Sequence, residues 1–410
     1  MEQTELIPHL FRTEYRKIVS VLCKHFGFEQ IEIAEDIASE TFLVAAQTWG
    51  LEGNPANPPA WLYFVAKNKA RNFLQRNAVF KNKVSPQLQN NLPVLVEEEI
   101  DLSPQNINDS QLQMMFTVCH PSIPTEAQIG LSLRILCGFG IEEIADAFLT
   151  NKETINKRLF RAKEKLRENK INIELPDPVE IDGRLSTVLT TIYLLFNEGY
   201  YSQSQNQVLR KDLCLEAMRL CMMLIENEST NRPQVNALLS LMCFHASRFE
   251  ARLDKNGELI LYEEQDTNLW NYDLIGKGAW FLKYAASGNQ LSSYHLQATI
   301  AYWNTQKADS IEKWENILQL YNQLLQIEYS PIAALNRTYA LSKATGKRAA
   351  ITEAEKLNLA DNHFYFLLLG ELYTGIDNKK AKQYFQKASS MAKTQTEKQG
   401  IQKKINTFQQ

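Results

Sequence analysis

The sequence predicts an all-α protein built from several helical modules. Apolar residues recur at spacings of three and four through most of the 410 residues, and this period is typical of amphipathic helices. Two stretches, 84–106 and 171–182, lack that period and are rich in proline and acidic residues, which indicates linkers. Within the helical pattern after Gly183, "ARLDKNGELILYEEQ" alternates apolar residues around "DKNG", which favours a small hairpin or turn. A chain of this length exceeds one ordinary core, so we expect about two to four domains.

The first module covers residues 8–80, where three helices are predicted. "LFRTEYRKIVSVLCKHF" and "IEIAEDIASETFLVAAQTW" each carry apolar residues at helical spacing, and "GLEGNPANPPA" (50–60) interrupts the pattern with Gly and Pro. The third helix follows Pro59. Residues 61–83 contain six Lys or Arg side chains and no acidic residue, so this helix presents a cationic surface although the whole chain has a formal net charge of only −3.

The second module covers residues 107–170 and ends in a candidate helix-turn-helix, "IEEIADAFLTNKETINKRLFRAKEKLR" (141–167). Thr150 and Asn151 are both competent N-caps for its second helix. The buried stripe of that helix is predicted to be Ile155, Leu159, Ala162 and Leu166. Residues 151–170 carry eight cations against three acids. An ordinary antiparallel helix pair with a solvated cationic face is the alternative.

The exposed residues of this second helix fall into two groups. Its N-terminal end enters the major groove in a helix-turn-helix, and that end carries Lys152, Glu153, Thr154, Asn156 and Lys157. Phosphate contacts, which position the protein without specifying sequence, are expected further along at Arg158, Arg161 and Lys165.

From Gly183 to the end the pattern is almost entirely helical. An internal repeat starts at Leu335 and again at Leu369, 34 residues later. The second copy follows the small and aromatic positions of a tetratricopeptide repeat at Gly370, Tyr373, Ala381, Phe385 and Ala388. Small residues let paired helices approach, and aromatic residues fill the groove between them.

Three of these segments, in this order, resemble the extracytoplasmic-function sigma factors of the sigma-70 family, bacterial subunits that recognise promoters for RNA polymerase. "AEDIASETFLVAAQTW" is similar to the family's region 2 signature, "NPPAWLYFVAKNKARNFLQR" to the segment after it, and "EEIADAFLTNKETINKRLFRAKEKLR" to region 4. "RLSTVLTTIYLLFNEGYYS" and "YHLQATIAYWN" resemble the long helical-repeat extension of one sigma-factor group. The resemblance implies region 2 in 1–83, a linker in 84–106, region 4 in 107–170 and a regulatory repeat domain in 183–410.

The resemblance also implies roles for individual residues. The helix that docks on the β′ clamp helices of polymerase is matched by Asp36, Glu40, Thr41 and Phe42. Residues 50–60 match the loop that captures a flipped base of the −10 element, with Asn54 and Asn57 as candidate polar contacts. Trp61 directly after the loop is a candidate stacking contact, for which a place in the core is the favoured alternative. The non-template strand is expected to follow Lys67, Asn68, Arg71, Asn72 and Arg76, where Asn72 replaces the family's usual aspartate. The eight residues of the helix-turn-helix that are predicted to be exposed are expected to contact the −35 element.

The implied function is promoter-specific transcription initiation by binding, not catalysis. The expected partners are core RNA polymerase, through its β′ clamp helices and β flap, and promoter DNA, with residues 183–410 contacting the sigma modules in the same chain. No catalytic motif is found, and Cys119 with His120 has no second metal-ligand pair nearby, so we expect neither an enzyme nor a cofactor. The N-terminus lacks an apolar signal core, no membrane span is found, and six scattered cysteines indicate reduced thiols, which together favour a cytoplasmic protein. The resemblance implies that it is bacterial.

Two other functions fit parts of the sequence. One is a classical regulator that binds duplex DNA through residues 107–170 and uses the repeats as a sensor. The other is a repeat scaffold that has lost DNA binding. The region 2 segment distinguishes the first of these from a sigma factor, because such a regulator has no need of it.

Overall fold

The computed structural model describes residues 3–84, 100–148, 150–200, 210–252, 260, 262–392 and 395–408. Within these ranges the chain is largely helical and contains no β-strand, which confirms the all-α prediction. The predicted hairpin falls mainly on residues 253–259 and 261, and most of the predicted linker at 84–106 falls on 85–99, so both lie outside the described residues.

The chain divides into two compact units, Met1–Leu194 and Leu195–Gln410. The helices that begin in the first unit are α1 (Gln3–Phe26), α2 (Ile31–Glu52), α3 (Pro58–Val84), α4 (Pro104–Val118), α5 (Thr125–Leu131), α6 (Ile141–Ala147), α7 (Lys152–Glu168) and α8 (Ile181–Tyr200). A π-helical turn, Ser132–Leu136, follows α5. The second unit continues with α9 (Lys211–Glu226), α10 (Pro233–Ala246), α11 (Tyr272–Ala285), α12 (Ser293–Trp303), α13 (Ile311–Ile327), α14 (Pro331–Thr345), α15 (Lys347–Leu357), α16 (His363–Tyr373), α17 (Asn378–Met391) and α18 (Gln395–Asn406). No described helix is both long enough and apolar enough to cross a bilayer.

Helices α1, α2 and α3 pack together in the first unit. Tyr15 and Leu22 of α1 are fully buried, and Leu62 of α3 is buried with them. The start of α3 follows from its sequence, because two prolines occupy positions where a helix has no use for an N–H donor. The Asn57 side chain accepts a hydrogen bond from the Ala60 amide at 3.1 Å and so caps the helix.

Helices α5 to α7 and the π-helical turn pack together in the same unit, while α4 packs on α1 and on the π-helical turn. The Ser103 side chain caps α4 by accepting from the Asn106 amide at 3.4 Å. Helices α5 and α7 approach closely at Gly130, where a Cβ atom would lie 3.0 Å from a methyl carbon of Leu159. Glycine at this position therefore allows α7 to pack closely against α5.

Most of α8, up to Leu194, belongs to the first unit. The Arg184 guanidinium donates to the Phe116 carbonyl at 2.7 Å, and the Thr191 hydroxyl donates to the Gln128 side chain at 3.0 Å. These bonds tie α8 to α4 and α5. The division between the units consequently lies inside α8, past the predicted domain start at Gly183.

The second unit consists of helices paired with their sequence neighbours, among which α10 with α11, α13 with α14 and α16 with α17 pack most extensively. A Cβ atom at Gly370 would lie 2.6 Å from the Phe385 ring, so glycine permits the α16–α17 contact. Ala381, Phe385 and Ala388 are buried beside it. This is the arrangement of small and aromatic residues that the repeat pattern predicts, while the tetratricopeptide assignment itself stays a prediction.

Candidate nucleic-acid interface

Helix α7 begins where the sequence places the second helix of the helix-turn-helix. Of the two candidate caps, Asn151 is the N-cap: its side chain accepts from the Thr154 amide at 2.8 Å. The predicted stripe of Ile155, Leu159, Ala162 and Leu166 is buried. Because that stripe faces the module's core, the cationic residues between its members lie on the other sides of the helix, where they are exposed or half-buried.

Seven of the eight predicted −35 contacts are exposed on α7: Lys152, Glu153, Thr154, Asn156, Lys157, Arg161 and Lys165. The eighth, Arg158, is half-buried, with its guanidinium 5.4 Å from the centre of the Phe148 ring. Lys152 pairs with Glu142 of α6. The first turn of α7 thus carries exposed hydrogen-bond donors and acceptors, and Arg161 and Lys165 place exposed positive charge further along the same helix.

The predicted −10 residues lie along the start and the exposed side of α3. Asn54 is exposed, and Asn57 is exposed as the cap of α3. Trp61 is half-buried and packs edge-to-face on Trp49, with ring centres 5.3 Å apart, so its ring contributes to the module's core. The remaining candidates are Lys67 and Asn68, which are half-buried, and Arg71, Asn72 and Arg76, which are exposed.

The predicted polymerase-binding residues of α2 separate by burial. Asp36 and Glu40 are exposed, and Glu40 accepts from Lys69 of α3 at 2.8 Å. Thr41 and Phe42 are buried. The Thr41 hydroxyl donates to the Ile37 carbonyl at 2.7 Å, which places it inside the module. Only Asp36 and Glu40 of this set have side chains accessible to a partner.

Helices α2 and α7 are held together by an ion-pair cluster that the sequence did not indicate. Glu35 of α2 accepts from Lys163 of α7 and, at 3.3 Å, from Arg134 of the π-helical turn. Glu32 pairs with Arg167, one turn further along α7. The side chains of Glu35 and Lys163 are only 12% and 11% exposed, so this pair is shielded from solvent, whereas Glu32 is 48% exposed.

Helices α1–α3 also meet α4–α7 along α1, which packs on α4 and on the π-helical turn, and around Arg12 of α1. Its side chain pairs with Glu143 of α6 at 2.5 Å and lies 5.3 Å from the centre of the Phe139 ring. Gly138 has φ +74°, and a Cβ atom there would lie 3.1 Å from the Arg12 carbonyl oxygen, so the loop needs glycine for this approach. We call the joined state of α1–α3 and α4–α7 the closed arrangement.

Tyr15 of α1 is buried where α1 packs on the π-helical turn. Arg134 lies 5.5 Å from the centre of its ring, and burial raises the pKa of its hydroxyl to about 12, with Glu35 adding to the rise and Arg134 opposing it. Tyr15 therefore stays neutral at physiological pH and contributes packing. Lys163 and Arg167 occupy the flank of α7 next to its buried stripe, so the exposed residues of α7 remain accessible in the closed arrangement.

Two segments of the chain match known families. Residues 10–79 match Sigma-70 region 2, and residues 184–286 match a family of unknown function (DUF6596). An uncharacterised protein of Rhizobium meliloti is 33% identical over 343 residues, which cover 83% of this chain and 81% of that relative. The ECF RNA polymerase sigma-E factor of Haemophilus influenzae is 25% identical over 159 residues, which cover 38% of this chain and 82% of that relative. No solved structure matches the chain.

Proposed function

We propose that this chain, which belongs to the same family as the Rhizobium meliloti protein, initiates transcription at specific promoters. Its Sigma-70 region 2 and its similarity to a sigma-E factor support a sigma-70 family sigma factor. The observation that carries this proposal is the module of residues 10–79. It combines an acidic exposed face at Asp36 and Glu40 with a cationic one at Arg71 and Arg76.

The proposed mechanism consists of binding steps. Helix α7 holds the duplex of the −35 element, while the surface of α3 takes up the melted strand of the −10 element. Extracting a base from a duplex costs a few kcal/mol, which stacking and hydrogen bonds in a protein pocket return. Each module alone binds weakly, and attachment of both to core polymerase raises their effective concentration.

Binding both promoter elements at once requires the closed arrangement to open. The −35 and −10 elements lie about 25 base pairs apart, which is about 85 Å of duplex at about 3.4 Å per base pair. A compact unit of the size of residues 1–194 has a radius of gyration of about 16 Å and hence a diameter of about 40 Å. Polymerase therefore has to separate α7 from α2 when it takes up the protein.

We assign a regulatory role to residues 195–410, exerted by contact with the promoter-binding modules. The match of residues 184–286 to a separate family supports a distinct function for this part. A truncation that ends at Tyr200 keeps the α8 residues that bond to α4 and α5. Promoter-specific transcription by the truncated chain should differ from that of the full chain in a reconstituted assay, and identical transcription argues against the regulatory role.

The promoter-opening step is tested by Lys67→Ala and Arg71→Ala. Both changes should lower permanganate reactivity of the −10 region while leaving the affinity for core polymerase unchanged, because these residues face the strand and not the polymerase. Lys277→Ala, an exposed change on α11, is the control. Undiminished permanganate reactivity in the α3 variants argues against the proposed path of the strand.

A second function, a duplex-DNA regulator with a sensor domain, is favoured by one observation. The exposed residues of α7 stay accessible in the closed arrangement, so duplex binding needs no polymerase. A pull-down with core RNA polymerase distinguishes the two functions, since only the sigma factor is retained.

A further inference from the structure

The last two helices of the chain carry a dense group of lysines. Residues 378–408 contain eight lysines, no arginine and a single acidic residue, Glu397, in a chain whose formal net charge is −3. This segment lies outside both modules assigned to promoter contacts. Its composition concentrates positive charge in an otherwise acidic protein, and such a patch is the electrostatic footprint of a polyanion-binding surface.

The fold arranges α17 so that its lysines share the solvent side with neutral residues. Ala381, Phe385 and Ala388 bury one stripe against α16. The opposite side exposes Lys379, Gln383, Gln386, Lys387 and Ser390. No acidic side chain interrupts this side of the helix, so its positive potential is not neutralised from within the helix.

Helix α18 extends the same surface. Ile401 and Ile405 are buried, and Phe408 packs near Phe385 with ring centres 5.9 Å apart, which fixes α18 against α17. Its exposed residues include Lys398, Gln399, Gln402 and Lys403. The half-buried Lys404 pairs with Glu371 of α16. We call the exposed residues of α17 and α18 the lysine surface.

We propose that the lysine surface binds the phosphate backbone of duplex DNA without reading its sequence. Lysine acts on phosphate as a point charge and lacks the planar fork with which arginine reads guanine. Glutamine and serine side chains add hydrogen bonds to phosphate and sugar oxygens. Backbone contacts of this kind position a protein on a duplex and strengthen binding independently of sequence.

The aromatic residues argue for a duplex over a single strand. Proteins that bind single strands stack bases on exposed aromatic rings. The three aromatic residues of 378–408 are Tyr384, Phe385 and Phe408, and each is buried or half-buried. The lysine surface thus offers charge without a stacking platform. The proposal does not depend on the sigma-factor assignment, because it concerns sequence-independent contact by a different part of the chain.

Site-directed crosslinking in the full chain tests the proposal. All six native cysteines are buried, so a photoactivatable reagent can be attached to one exposed introduced cysteine. Gln402→Cys on α18 should crosslink to a 30-base-pair duplex of arbitrary sequence, whereas Asn289→Cys, exposed after α11, should not. Crosslinking at the control position only, at both positions equally, or at neither overturns the proposal.

Neutralising the surface tests the role of charge. In the Gln402→Cys background, Lys379→Gln with Lys398→Gln and Lys403→Gln should lower the crosslink yield at least tenfold at fixed salt. Loss of three phosphate contacts should also reduce the slope of log affinity against log salt by about 2.7. An unchanged yield and slope overturn the proposal, as does stronger crosslinking to a single strand than to the duplex.

A matched control removes the same charge elsewhere in the second unit. Lys277→Gln with Lys283→Gln and Lys356→Gln neutralises three exposed lysines of α11 and α15 and should leave the crosslink yield at Gln402→Cys unchanged. An equal loss in this control assigns the effect to net charge and contradicts a specific surface. Competition by polyglutamate that exceeds competition by duplex DNA identifies an acidic protein as the partner and contradicts the proposal in the same way.

Discussion

The ion pair between Glu35 and Lys163 predicts how firmly the closed arrangement is held. Glu35→Gln removes the charge that faces both Lys163 and Arg134, whose side chains are 11% and 20% exposed. Removing one partner of a buried pair costs about 3–5 kcal/mol, because the other charge is left without compensation. Since these groups keep some contact with solvent, we expect about 3 kcal/mol, which corresponds to about a 100-fold shift of population toward the open state.

The shift can be measured by energy transfer between dyes on the two groups of helices. Leu51→Cys on α2 and Asn169→Cys after α7 are exposed positions, and the buried native cysteines leave them as the preferred labelling sites. Transfer efficiency should fall in Glu35→Gln and in Lys163→Met. Lys356→Met breaks a pair with Glu353 inside α15 and should leave the efficiency unchanged.

A double-mutant cycle tests whether the pair itself is responsible. Glu35→Gln combined with Lys163→Met should cost less than the sum of the two single changes, with a coupling of about 1–3 kcal/mol. Strict additivity, or an unchanged transfer efficiency in both single variants, refutes the view that this pair holds α2 on α7.

Three further changes probe the fold and the site. Gly370→Ala places a Cβ atom 2.6 Å from the Phe385 ring and should lower the unfolding free energy by about 1–3 kcal/mol in urea titrations, whereas Gly276→Ala, which meets no atom within 4 Å, should raise it. Burial, aided by nearby arginines, holds the pKa of His245 well below its ordinary value of 6.5. Protonation therefore favours the unfolded state, stability falls as pH drops below 6.5, and His245→Gln should reduce that fall by up to about 1.4 kcal/mol per pH unit in denaturation at pH 7 and pH 5. Asn151→Ala removes the cap of α7 and should cost about 1 kcal/mol, with weaker binding to a −35 duplex in anisotropy titrations; unchanged affinity contradicts the placement of that helix end on DNA.

Sequence patterns predicted those features that depend on residues close together in the chain. The stripe of α7 follows from spacings of four, three and four, and the structure buries it at Ile155, Leu159, Ala162 and Leu166. The close contact of Gly370 with Phe385 likewise follows from a repeat pattern of small and aromatic residues. In both cases the residues that interact lie on one helix or on two consecutive helices.

The closed arrangement could not be predicted in this way. Glu35 and Lys163 are far apart in the chain, and the pattern of α7 marks Lys163 only as one cation among eight in residues 151–170. Pairing across such a distance depends on how α1 packs against α4, and no helical period contains that information. Burial also separates Thr41 and Phe42 from Asp36 and Glu40, although all four belong to the same sequence motif.

The lysine surface could be predicted only in part from the sequence. The composition of residues 378–408 is visible in the sequence, yet composition alone does not reveal which lysines are engaged. The structure pairs Lys404 with Glu371 and leaves the side of α17 around Lys379 and Lys387 exposed without an acidic neighbour on that helix. The structure was therefore needed to tell which of these lysines are exposed and can bind a partner.

Association with core RNA polymerase tests the central claim most directly. Purified full-length protein and bacterial core polymerase should co-elute in gel filtration at moderate salt as a stoichiometric complex. Asp36→Lys combined with Glu40→Lys, at the two exposed acids of α2, should abolish the complex while leaving the helical content unchanged. Failure of the unaltered protein to co-elute, even at low salt, contradicts the assignment of residues 10–79 as a polymerase-binding sigma region.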